Sequence, residues 1–200
     1  MHLSDISTTP PDKIKKSTVI KKLPELIRQL SNIQERLYAQ HYYAVLIILQ
    51  GMDTSGKDGA IKQVFTGVNP AGCNVTSFKQ PTEIELNHHF LWRISKACPQ
   101  IGMVQIFNRS QYEDVLIPMV KSTLDKKALT KRCDEIVAFE NGLVNANTIV
   151  LKYFLHVSQK KQFKRLKKRK ENPDKQWKFN PDDLADIEKH KKYLNAYQFI

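Results

Sequence analysis

The chain has 200 residues, of which 41% are hydrophobic and 26% charged, a balance that excludes global disorder and fits one sizeable domain. Its formal net charge of +12 points to polyanionic partners: nucleic acid, an anionic membrane surface or a phosphate-rich substrate. Three scattered cysteines, Cys73, Cys98 and Cys133, with no C-x-x-C pair, argue against a disulfide framework or a cysteine zinc site and fit a reducing cytoplasm.

In chain order, residues 1–17 are polar and contain Pro10-Pro11, so they are expected to form a flexible arm. From Thr18 to Gln40, Val19, Leu23, Leu26, Ile27, Leu30, Ile33 and Leu37 recur at helical spacing and predict an amphipathic helix. The period then changes. Residues 43–50 form a continuous apolar run ending at a glycine, the pattern of a strand buried on both faces in a parallel sheet. A helical pattern follows through Ile61, Val64 and Phe65. Residues 74–79, 102–108 and 148–157 read as further strands; 83–97, 112–124 and 129–143 read as helices. Alternating strands and helices predict an α/β fold with a parallel sheet. The longest apolar run, Tyr42 to Leu49, is too short to cross a bilayer, and the N-terminal residues lack the apolar stretch of a signal peptide. The expectation is a soluble, cytoplasmic protein with no membrane partner.

The loop after the first strand carries the chemistry. Gly51 to Lys57 matches G-x-x-x-x-G-K, in which backbone N–H groups cradle phosphate oxygens at the head of a helix. Gly51, Thr54, Ser55, Gly56, Lys57, Asp58 and Gly59 are therefore candidates for phosphate or nucleotide binding, with Lys57 supplying a point charge. The position after the lysine, usually Ser or Thr, is Asp58, and a second carboxylate, Asp53, lies inside the loop. A bare carboxylate facing phosphate costs roughly 4 kcal/mol at 4 Å and an effective dielectric near 20. Asp53 is thus expected to ligate Mg2+. Asp58 either shares that duty or simply favours the helix N-terminus. A second site is expected where the third strand ends, at Asn108 and Arg109, because ligands gather at the C-terminal ends of strands in open α/β sheets. Arg109 can bind phosphate through two hydrogen bonds.

The charge surplus is uneven. Residues 151–200 hold 14 Lys+Arg against 6 Asp+Glu, and Lys160 to Lys170 alone contain eight Lys/Arg. The alternatives are a solvated basic helix or a lid that closes over phosphates and excludes water. Arg165 and Arg169, four apart, share one helix face and are the preferred lid residues. His88 and His89 are adjacent and do not share a helix face, so packing roles are expected of them rather than a metal site.

LQGMDTSGKDG resembles the modified Walker A loop of the family 2 polyphosphate kinases, which also carries Asp inside the loop and after the lysine. Further segments match in order: Phe78 to Thr82, Glu85-Leu86 with Phe90 to Arg93, Ile106 to Leu116, and Leu151 to Ser158 followed by Gln162, Arg165, Arg169, Pro173, Lys175 and Trp177 to Phe179. The resemblance covers the chain from about residue 20 onward. It implies a three-layer P-loop kinase-like fold: a parallel sheet flanked by helices over 18–158, and a basic helical lid and C-terminal segment over 159–200 in the same domain. It also implies Mg2+-dependent phosphoryl transfer between inorganic polyphosphate and a nucleoside mono- or diphosphate, in a homo-oligomer. Asp53, Gly56 and Lys57 would hold phosphate and metal, Asp53 and Asn108 would be metal ligands, and Arg109 and Lys79 would lie near the phosphates. Glu113, with Asp114, resembles the subgroup that accepts monophosphates as well as diphosphates.

The sequence also departs from that pattern. Asn108 stands where many members have Asp, and His89 where Asp is usual. Beyond Asp183-Leu184, Ile187, His190 and Lys191 occupy positions where Arg, Trp and Asp are usual. Members commonly extend past the position of Ile200, so a further C-terminal helix is expected to be missing and lid closure weakened. The rival readings are an ATP-dependent nucleoside or nucleotide kinase, a nucleic-acid-binding module using the basic helix, and a catalytically weakened polyanion- or nucleic-acid-binding P-loop protein. Nucleic acid is not an expected partner, since no base-reading motif is present.

Overall fold

The computed structural model describes residues 2–178 and 187–200. A long helix, α1 (Lys16–Gln40), leads into β1 (Ala44–Gln50), α2 (Lys57–Val64) and β2 (Cys73–Ser77). Two short helices, α3 (Glu83–Leu86) and α4 (Trp92–Lys96), precede β3 (Val104–Asn108). Then come α5 (Glu113–Lys121), α6 (Lys126–Asn145), β4 (Thr148–Phe154), α7 (Gln159–Glu171) and α8 (His190–Phe199). The residues Asn180, Pro181, Asp183 and Leu184, and Phe179 before them, lie outside the described residues. No helix among the described residues is long and apolar enough to cross a membrane.

The four strands form one parallel sheet in the order β2-β3-β1-β4. The apolar run of β1 is explained by cover on both sides. Leu46 and Ile48 face a core with Phe78, Ile94 and Phe107, closed by Phe139 and Leu143 of α6. Val45, Ile47 and Leu49 face the other way, onto Leu37 of α1, Ile61 of α2 and Phe65 just after it. Strand alternation thus gives each apolar residue a helix to pack on, and three layers result. A third cluster joins Val115 and Leu116 of α5 and Ile136 of α6 to Ala196 of α8. The first turn of the chain is tied to that last helix by the Leu3 N–H, which donates to Gln198 Oε1 at 2.6 Å.

One expected element differs. The helix read over 83–97 is two helices with a turn at 87–91. Thr82 caps α3 reciprocally with Glu85, but histidine side chains then replace the helical ladder. His88 Nδ1 hydrogen-bonds the Ile84 carbonyl at 2.8 Å, and the Leu91 N–H donates to His89 Nδ1 at 3.4 Å. The break leaves Leu86 exposed, turns Phe90 onto the α5–α6 core and sends Ile94 into the core below the sheet. His88 stacks on Trp92 at 4.0 Å and His89 lies 3.3 Å from Glu135. Both are exposed and border the cavity described below.

Candidate active site

The loop between β1 and α2 sits at the C-terminal edge of the sheet. Its backbone explains its glycines. At Gly51 a Cβ would lie 2.8 Å from Ser55 Oγ and 2.9 Å from the Leu155 carbonyl, so no larger residue fits. Gly56, the residue before α2, is left-handed with φ of 103°, and the Arg165 guanidinium lies 3.3 Å from where its Cβ would be. Gly59 differs: a Cβ there would meet nothing within 4 Å.

Lys57 opens α2 with its side chain folded back into the loop. Its Nζ donates to the Gly51 carbonyl at 2.6 Å and the Met52 carbonyl at 3.2 Å. Burial, with the Arg109 charge next in importance, pulls its pKa down to about 8, against the opposing pull of Asp53 and Glu113. The next residue, Asp58, accepts a hydrogen bond from Asn108 Nδ2 at 2.8 Å. An aspartate at position 108 would put two carboxylates in contact there; asparagine supplies a donor instead.

The end of β3 meets the loop as the sequence suggests. The Arg109 N–H donates to the Leu49 carbonyl at 3.0 Å, and its backbone is left-handed, with φ of 66°. The guanidinium pairs with the Asp53 carboxylate and lies 3.5 Å from Glu113. Burial alone would lower the Arg109 pKa; Asp53 and Glu113 hold it above its ordinary value. Burial raises the Glu113 pKa, with Arg109 and Lys57 opposing.

Helix α7 lies across the loop. Arg165 Nη1 donates to the Thr54 carbonyl at 2.9 Å and the Ser55 carbonyl at 2.7 Å. Gln162 Nε2 donates to the Asp53 carbonyl at 2.9 Å, while its Oε1 accepts from His190 Nδ1. Helix α7 is therefore packed down on the loop, and the cleft beneath it measures only about 20 Å³. Its walls include Gly51, Asp53, Arg109 and Glu113 on one side and Ile187, Tyr193 and Tyr197 on the other. Arg169, one turn along α7, is half-buried. Lys79 is exposed at the surface, where its carbonyl accepts from Arg93 at 2.9 Å.

Tyr197 was not legible as a site residue. Burial, then the charges of Glu113 and Asp53, raise its pKa well above the usual tyrosine value. Its only sequence signal is a C-terminal helical pattern, which does not reveal which sheet edge the helix reaches. Ile187 and His190, which depart from the family pattern, complete this wall and its tie to Gln162. On the far side of Glu113-Asp114 lies a cavity of about 410 Å³, bordered by Glu85, Phe90, Arg93, Asp114 and Arg132. Arg93 is buried there, 3.2 Å from Asp114 Oδ2.

The described residues contain no cluster of three or more His, Cys, Asp or Glu placed to cage a metal ion. Mg2+ does not require one: it keeps several waters and takes one or two carboxylates together with phosphate oxygens. Asp53, inside the 51–57 loop, and Asp58, in the first turn of α2, fit that demand in number and chemistry.

The family model for polyphosphate kinase 2 (PPK2) matches residues 13–200. The chain is 45% identical over 183 residues to the AMP/ADP-polyphosphate phosphotransferase of Meiothermus ruber, covering 92% of this chain and 68% of that protein. It is 40% identical over 184 residues to the ADP-polyphosphate phosphotransferase of Rhodopseudomonas palustris, covering 86% of this chain and 64% of the relative. The crystal structure of polyphosphate kinase 2 from Arthrobacter aurescens TC1 superposes with a TM-score of 0.95 at 37% identity, over 99% of this chain and 72% of that one. With the family model matching nearly the whole chain and a relative 45% identical over 183 residues, the chain belongs to the polyphosphate kinase 2 family.

Proposed function

We propose that the chain transfers a phosphoryl group between inorganic polyphosphate and a nucleoside mono- or diphosphate, AMP, ADP or GDP, with Mg2+ as cofactor. The observation that carries this reading is the convergence on one loop of buried Lys57, the Asp53–Arg109–Glu113 cluster and the lid residue Arg165. The relatives' names give the substrate classes.

Phosphoryl transfer asks mainly for positioning and charge neutralisation. Entry of phosphate requires α7 to lift, since the closed cleft has no room for it. Lys57 Nζ then exchanges the Gly51 and Met52 carbonyls for phosphate oxygens, and Arg109 turns from Asp53 to the same anion. Asp53 and Asp58 would hold Mg2+, which supplies neutralisation of charge on the phosphate oxygens; Asn108 orients Asp58. Closure of Arg165 and Gln162 onto the loop, with Tyr193 and Tyr197 behind, excludes water and limits hydrolysis. Acceptor and leaving oxygens lie in line across the transferred group. The exposed cations of α7, among them Lys160, Lys161, Lys164 and Lys168, extend attraction along a long polyanion. The cavity beside Arg93 is large enough for a nucleoside.

The homo-oligomer implied by the family resemblance is part of this proposal. Ile149, Leu151 and Tyr153 of edge strand β4 stay exposed, and light scattering measures the state directly.

The test is to incubate the purified protein with Mg2+, polyphosphate and AMP, ADP or GDP, and follow nucleotide products. A parallel set offers ATP with nucleosides or monophosphates and no polyphosphate. Turnover in the first set is expected; turnover confined to the second would replace the proposed donor.

A further inference from the structure

Outside the cleft, α6 and β4 bury a polar network that the reaction described above does not use. Glu140 of α6 is 7% exposed. Its Oε1 accepts from Gln111 Nε2 and from the Tyr112 hydroxyl, both at 2.8 Å. Its Oε2 accepts from Lys152 Nζ of β4 at 2.7 Å, and the same ammonium donates to the Tyr112 hydroxyl at 3.0 Å. The two residues gripped by Glu140 follow Arg109 by only two and three positions. Between Arg109 and Gln111, Ser110 is fully buried and its hydroxyl meets Gln50 at 2.9 Å.

We infer that Glu140 is a positioning residue for Arg109, acting through Gln111 and Tyr112. Arg109 is a non-glycine residue in the left-handed region, a conformation that persists only where its surroundings over-determine it. Upstream the sheet does so: the Phe78 N–H donates to the Asn108 carbonyl and the Arg109 N–H to the Leu49 carbonyl, both at 3.0 Å. Downstream the chain leaves the sheet, and the first turn of α5 has no side-chain cap from its preceding residue, Tyr112. Glu140 supplies the second fixed point. The Gln111 side-chain oxygen, Oε1, finds no partner among the described residues, so the bond from Nε2 to Glu140 is what orients this buried amide. Lys152, its side chain half-exposed, in turn neutralises buried Glu140, where an unpaired carboxylate is costly. Sliding 111–112 would shift both the Arg109 guanidinium and Glu113, its partner on the same wall of the cleft. The inference rests on the proposed phosphotransferase reading for its kinetic consequence, but not for its structural one.

The test compares two double variants that both lack the ion pair. Glu140→Gln with Lys152→Met keeps a side-chain oxygen for Gln111 and Tyr112, and kcat should stay close to wild type. Glu140→Leu with Lys152→Met removes that oxygen, and kcat should fall about 100-fold, as for an ångström-scale misplacement of a reacting group, while KM for polyphosphate is unchanged. Thermal melts confirm that both are folded. Equal kcat in the two folded variants, high or low, overturns the inference. Crystal structures of both supply a readout independent of turnover. Arg109 should keep its left-handed φ in the first and leave it in the second; an unchanged Arg109 in the second overturns the inference even if the wild type proves inactive with polyphosphate. Should the leucine variant not fold, Gln111→Leu with Tyr112→Phe severs the same link with the ion pair intact and is held to the same kcat and φ criteria.

Discussion

Gln162 donates its side-chain amide to the main-chain carbonyl of Asp53 at 2.9 Å, so the basic helix is fastened to the phosphate loop itself. Through His190, which bonds the other end of the same amide, the C-terminal helix joins the fastening. The 51–57 loop, α7 and the last helix are therefore joined by one chain of hydrogen bonds, which the proposed reaction requires substrate to open.

Arg165 provides the strongest part of that closure, with two charge-assisted bonds to loop carbonyls. Arg165→Ala should destabilise the free protein by about 1–3 kcal/mol, the value of hydrogen bonds to a charged group, visible as a lower Tm. It should also raise the ratio of polyphosphate hydrolysis to nucleotide phosphorylation, because the lid no longer excludes water. An unchanged product ratio would remove the lid role.

Lys57 sets an alkaline limit. Its pKa of about 8 in the folded protein lies below the ordinary lysine value of 10.5, so the folded state binds fewer protons than the unfolded chain between these values. Stability thus rises with pH through that window as the buried charge is lost, while affinity for phosphate falls. The expected profile of kcat/KM, which reports the free enzyme, declines above about pH 8. Lys57→Met should abolish turnover yet stabilise the free protein near neutrality, by at most ~3 kcal/mol at 1.36 kcal/mol per pKa unit.

Asp53 is where metal dependence should be read. EDTA should stop turnover and excess Mg2+ restore it. Asp53→Asn should lose most activity, raise the Mg2+ concentration for half-maximal rate, and leave the circular dichroism spectrum unchanged. Full activity in Asp53→Asn would remove this residue from the metal site.

Asn108 offers the complementary change. Asn108→Asp replaces a 2.8 Å hydrogen bond to Asp58 with two facing carboxylates, which should cost about 1 kcal/mol at this half-exposed position in the absence of metal. Mg2+ should then raise the Tm of the variant more than that of the parent chain. Equal shifts in a melting series would argue against a cation between these residues.

The loop glycines should separate sharply. Gly51→Ala forces a Cβ against Ser55 and the Leu155 carbonyl and should cost about 1–3 kcal/mol, as overpacking does. Gly59→Ala points into open space inside a helix and should stabilise by roughly 0.5–1 kcal/mol. Chemical denaturation of the two variants checks both signs.

Much of this architecture was legible beforehand because it rests on local rules. The unbroken apolar run of β1 reports burial on both faces, and the glycines on either side of Asp53 report a phosphate loop. Arg109 was placed beside that loop by the rule that ligands gather at the ends of parallel strands. The break in the 83–97 helix was not visible, since histidine rings competing for backbone groups leave no mark on hydrophobic spacing.

The sequence by itself determined the family and, apart from the break in 83–97, the strand and helix order, because these follow from short-range periodicity and spaced motifs. Only the tertiary structure decided that Arg165 and Gln162 close on loop carbonyls, that Tyr197 forms the far wall, and that Glu140 grips the segment after Arg109. Those contacts join residues 28 to 111 positions apart, and packing of whole helices, not any local signal, brings them within hydrogen-bonding distance.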